Sequence, residues 1–145
     1  MNYQALKSEL VADPAGVGYS SMTATQAATA INASTYPGPY KLVPLGAILA
    51  YLRTQGAWLG IKAAAASNTA AAAAVDLESD PHAQNLDVSL PQVSQMLASL
   101  VSAGLLTAAQ SSAIVAMGQT MTSRAQVIGW TIPPTAADIS AARGM

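Results

Sequence analysis

Cysteine and phenylalanine are absent from the 145 residues, and histidine occurs once, as His82. Without cysteine there are no disulfides and no thiolate metal sites, which fits an intracellular product or a particle assembled inside a cell. A single imidazole leaves little acid–base or metal chemistry at neutral pH. Charge is scarce too: six basic and seven acidic side chains, 9% of the chain, for a net charge of −1. The cations Lys7, Lys41, Arg53, Lys62, Arg124 and Arg143 are scattered. No basic patch forms, so neither nucleic acid nor an anionic membrane is an expected partner. The longest apolar stretch, Leu42–Leu52, is shorter than the roughly 20 residues that span a bilayer. The start, Met1-Asn2-Tyr3-Gln4, lacks the basic residues and apolar core of a signal peptide.

What is present is mostly hydrocarbon. The chain is 52% hydrophobic, and thirty-two residues are alanine. A chain of this length is expected to form one domain, which hides roughly two thirds of its unfolded surface. The expected architecture is mainly α: a small bundle of short helices with a few short extended segments, a single helical domain over 1–145 with the Pro/Tyr stretch 36–44 as an internal connector. A sparsely charged, nearly neutral surface lacks the repulsion that keeps monomers apart. It favours a protein covered by partner subunits.

Along the chain, Tyr3, Leu6, Leu10 and Val11 recur at helical spacing in Asn2–Asp13, with Lys7, Ser8 and Glu9 on the other face. Pro14 and Gly16 stop this helix, and Gly18-Tyr19 reads as a turn with an aromatic anchor. Thr23 and Gln26 stand at capping-box spacing at the head of a helix over Thr23–Ala33. Ser34–Tyr40, with Pro37 and Pro39 around Gly38, cannot be helical and reads as a rigid exposed loop, a connector or a contact loop. Pro44 starts a helix with the stripe Leu45, Ile48, Leu49 and Leu52. A second, long helix is expected from about Ala57 to Glu78 through the alanine tract, because alanine has the highest helix propensity. Asp80-Pro81 ends it, and Gln84–Leu90 contains a very short extended piece. Pro91–Ala103, Gly104 and Ala108–Met117 read as helix, glycine turn, helix, with a second capping box at Thr107 and Gln110. Thr122–Ile128 reads as a short helix, Trp130–Ile132 as extended, and Thr135–Arg143 as a last helix with Thr135 and Asp138 as its box.

Little of this carries chemistry. Asp76, Glu78, Asp80 and His82 alternate across a helix end, but alternate residues on a helix diverge by about 200°, so a solvated terminus is expected rather than a metal site. No Gly-x-Ser-x-Gly surrounds any serine, Gly16-Val17-Gly18 lacks the Lys-Ser/Thr of a phosphate loop, and Ala108–Met117 has no Arg or Lys to read DNA. No catalytic residue, cofactor or metal is expected. The two tryptophans read as core or interface anchors. The expected contact residues are Tyr36 and Tyr40 in the loop, Trp58 with the alanine face Ala66, Ala70 and Ala74, and Trp130 with Ile132 in a Trp130–Pro134 strand.

Three stretches together resemble a family of small proteins encoded in the structural gene clusters of tailed bacteriophages and prophages. The first is Leu6-Lys7-Ser8-Glu9-Leu10 with Asp13-Pro14, Gly18-Tyr19, Met22 and Ala27–Asn32. The second is Leu86-Asp87-Val88 with the stripe through Leu100 and Ala103–Thr107. The third is Ser123-Arg124-Ala125 with Gly129, Asp138-Ile139 and Ala142-Arg143. Pro37–Ser79 resembles the family less, so the likeness covers roughly half to two thirds of the chain. It implies a virion component, tail-associated as an adaptor or a hub- or fibre-associated subunit, whose partners are other virion proteins and copies of itself. It brings no catalytic residue with it. The alternatives are a capsid decoration protein, a membrane-active holin-like product using Leu42–Ala66, and a metal-binding protein or enzyme using Asp76–His82.

Overall fold

A computed structural model describes all residues, Met1–Met145. The fold is mainly α, nine short helices with four short strands. The chain divides into two compact units: unit 1, Met1–Gly38 with Met121–Met145, and unit 2, Pro39–Thr120. Strand β1 (Ser34–Tyr40) leads out of unit 1, β4 (Gln119–Ser123) returns to it, and the two strands pair.

Unit 1 is built from α1 (Tyr3–Ala12), α2 (Ala24–Asn32), α8 (Arg124–Val127) and α9 (Ala136–Gly144). Its core is Leu6, Leu10, Tyr19, Ala27, Ala28, Ile31, Ile139 and Ala142. The Asn2 side chain caps α1 by accepting from the Ala5 amide at 3.1 Å. The capping boxes expected at Thr23/Gln26 and Thr135/Asp138 are both formed. Asp13 ends α1 in the left-handed region at φ 41°. Its carboxylate accepts from the Val17 and Gly18 amides at 2.8 and 2.6 Å, which folds the loop back and delivers Tyr19 to the core.

Unit 2 contains β2 (Val43–Pro44), α3 (Leu45–Thr54), α4 (Ala57–Ala64), α5 (Thr69–Ser79), β3 (Asn85–Leu86), α6 (Pro91–Ser102) and α7 (Ala108–Gly118). Strands β2 and β3 pair antiparallel, Val43 opposite Leu86. The α3 stripe, Leu45, Ile48, Leu49 and Leu52, is buried as its spacing requires, together with Val93, Leu97 and Leu100 of α6 and Ile114 of α7. Gly104 makes the α6–α7 turn at φ 69°, and Thr107/Gln110 form their box.

The structure corrects several expectations. Ser34–Tyr40 is a strand rather than a loop, since proline is tolerated on edge strands, where an unused N–H faces solvent. The long alanine helix is two helices. At Asn68 the side chain accepts from the Ala71 amide at 3.0 Å and starts α5 anew, so a local cap outweighs the uniform propensity of alanine. Gln119–Ser123 is a strand, and the helix expected from Thr122 begins only at Arg124, behind a Ser123/Gln126 box. Trp130–Pro134 is a bend, not a strand. On α1 the buried face is Leu6, Glu9 and Leu10, while Val11 is 77% exposed.

Candidate interaction surface

The buried face of α1 carries a charge that the helical pattern assigned to solvent. Glu9 lies one turn from Leu6 and beside Leu10, and Arg124 at the head of α8 meets it with two parallel hydrogen bonds, Nε to Oε1 at 2.6 Å and Nη2 to Oε2 at 3.0 Å. The side chains are 8% and 17% exposed, and contact with Glu9 raises the Arg124 pKa further. A planar guanidinium matches a carboxylate in this way, and a lysine would not. Tyr19 is fully buried in the same unit, its hydroxyl without a protein partner. Burial, reinforced by the negative charge of Glu9, pushes its pKa up to about 12. Arg143 donates to the carbonyls of Tyr19 and Met22 at 2.6 and 2.9 Å. Tyr3 donates to Asp138 at 2.9 Å, a bond that raises the Tyr3 pKa, while the Thr135 hydroxyl and amide lower that of Asp138. The first and third stretches that carry the phage resemblance therefore meet in unit 1.

The carboxylates at the helix end of unit 2 do not converge. Glu78 pairs with Lys62 and Arg53 at 2.8 and 2.7 Å, and the Lys62 hydrogen bond leads in lowering its pKa. Asp80 accepts from the His82 amide at 2.8 Å. No three acidic, histidine or cysteine groups stand where they could hold one metal ion. No helix is long and apolar enough to cross a membrane.

The expected contact residues are dispersed. Trp58 is 4% exposed and belongs to the unit 2 core, as does Ala74. Ala70 is half-buried against the same core, and Ala66 is exposed in the turn between α4 and α5. Much of the alanine face thus packs on its own unit. Tyr36 is half-buried and Tyr40 exposed on β1. Trp130 and Ile132 do share a site: they line a shallow hollow of about 150 Å³ in unit 1 with Met1, Asn2, Gly129 and Thr131. Trp130 is half-buried and Ile132 is 69% exposed.

The side chains that stand furthest into solvent were not among those expected. Apart from Ile132, they are Leu59 at 78%, Val11 at 77% and Leu42 at 59% exposure. For Leu59 a signal existed. Trp58 and Ile61 share one face of α4, which turns Leu59 and Ala63 away from the core. Comparison with known proteins adds no relative: no protein-family model, no curated protein and no solved structure matches the chain.

Proposed function

We propose that this chain is a structural or assembly subunit of a tailed-bacteriophage virion, tail-associated as an adaptor or as a hub- or fibre-associated piece. It is assembled in the host cytoplasm with other virion proteins and copies of itself. The observation that carries the reading is the display of large aliphatic side chains on both units, Val11 and Ile132 on one and Leu42 and Leu59 on the other. Single exposed apolar residues are ordinary, but here they occur on a chain with only 9% charged residues to hydrate its surface. Partner subunits would bury what water otherwise meets. The phage resemblance names the kind of particle. Its residues at the two ends of the chain, including Leu6, Leu10, Tyr19, Ala27, Ile139 and Ala142, build one core, as expected if those motifs specify a fold rather than a reaction.

The test is deletion of the gene from the phage or prophage that encodes it, with purified particles then imaged and blotted. The expected result is that the chain co-sediments with wild-type particles and that its loss leaves heads with absent or defective tails. Complete infectious particles without it would overturn the proposal. Label confined to the head would replace a tail role with capsid decoration.

A further inference from the structure

Between α5 and α6 of unit 2 lies a cleft of about 540 Å³. Leu77, Leu86, Val93 and Met96 give it an apolar floor, and Asp76 on α5 and Asp80, the extended residue that ends α5, are exposed along its edge. Neither carboxylate is in an ion pair, since the three pairs of the molecule use Glu9 and Glu78. Such a cleft accepts an amphipathic helix that presents apolar side chains, aromatic or aliphatic, around one cation.

The chain carries one such surface. Arg53, Lys62 and Arg124 are held by those ion pairs, and Arg143 by the carbonyls of Tyr19 and Met22. Lys7 and Lys41 have no such partner. Lys7 sits between Tyr3 and Val11 on one i, i+4, i+8 row of α1, with Tyr3 37% and Val11 77% exposed. Lys41 lies in a non-helical stretch beside Leu42, with no such row around it.

We propose that α1 of one copy docks in the α5–α6 cleft of a second copy, with Lys7 between Asp76 and Asp80 and with Tyr3 and Val11 against the apolar floor. The two surfaces differ, so the contact is heterologous, and it closes into a ring or extends into a filament. One helix in one cleft buries less than the roughly 800 Å² per partner of a standard interface, so the contact is weak and salt-sensitive. The inference is separate from the virion assignment, because two copies can meet in dilute buffer whether or not either enters a particle.

Sedimentation of the full chain tests it. The wild type should gain mass with concentration at low salt and lose it at about 0.5 M salt. Lys7→Asp alone and the double variant Asp76→Lys/Asp80→Lys alone should each weaken association about tenfold, by setting like charges face to face. An equimolar mixture of the two should restore it, because the acidic α1 of one variant then meets the basic cleft of the other. Val11→Asp should weaken association, and Lys41→Asp should leave it unchanged. All are surface changes, and circular dichroism checks that each variant keeps its helices. A monomeric wild type at every concentration, a mixture no stronger than its components, or a Lys41→Asp loss equal to that of Lys7→Asp would each overturn the proposal.

Discussion

Around Tyr19 in unit 1 the covered groups include a phenol, a carboxylate and a guanidinium, whereas around Trp58 in unit 2 they are aliphatic, from Leu45 on α3 to Ile114 on α7. Unit 1 is also assembled from the two ends of the chain, and Glu9 and Arg124 are 115 residues apart. A small discontinuous core gains little from each local contact and must pay loop closure for each distant one. A bidentate pair with one steric solution selects a single register where Leu6, Ala27 and Ala142 could slide. Unit 2 is continuous and its helices follow one another, so volume and spacing suffice. The lesson is that unit 1 answers to charge and pH, and unit 2 to cavities.

The largest expected effect lies on the charged side of this contrast. Arg124→Met leaves Glu9 buried without its cation, at a cost of about 3–5 kcal/mol. Urea unfolding followed by Trp130, the tryptophan of unit 1, should shift far more than the signal of Trp58, the tryptophan of unit 2. Adding Glu9→Gln should recover much of the loss. A change below about 1 kcal/mol would mean that water reaches Glu9 and the contrast fails. Next comes Leu100→Ala, 2% exposed in unit 2. It should cost about 2–5 kcal/mol and move the Trp58 signal first. An equal shift in both signals would show that the two cores melt as one.

The smallest effect separates the units by pH. The Tyr19 pKa is about 12 in the folded chain against 10.0 for the free side chain. Below pH 10 the phenol is protonated in both states, and stability is fully present. Between about 10 and 12 the unfolded chain gives up the proton and the folded chain keeps it, so stability falls by roughly 2–3 kcal/mol as pH rises. Tyr19→Phe removes an unpartnered hydroxyl, so it should be near neutral at pH 7 and should abolish this alkaline loss in the Trp130 signal. Tyrosinate absorbance in which all five tyrosines ionise together near pH 10 would contradict the burial of Tyr19.

Helix heads and apolar stripes were legible in the sequence because they are local. Thr23/Gln26, Thr107/Gln110 and Thr135/Asp138 cap where their spacing places them, and Leu45 to Leu52 faces inward as its period requires. Two elements were misread where one local rule overrode another. Asn68 restarts a helix inside an alanine tract, and two prolines sit on an edge strand instead of excluding one. Glu9 was misassigned because its burial depends on a residue more than a hundred positions away. The candidate surface was less legible still. Trp58 and Ala74 look the same in sequence whether they face their own core or another chain, and only packing decides between the two.

The interleaved layout also has a consequence for synthesis. A ribosome delivers every residue of unit 2, through Thr120, before Arg124, Ile139 and Ala142 exist. At about 5–20 residues per second, Leu6, Leu10, Tyr19 and Ile31 wait several seconds for the tail that encloses them. The first-made helices of unit 1 are therefore the last to be sheltered, and it is there that a chaperone would find the most to hold.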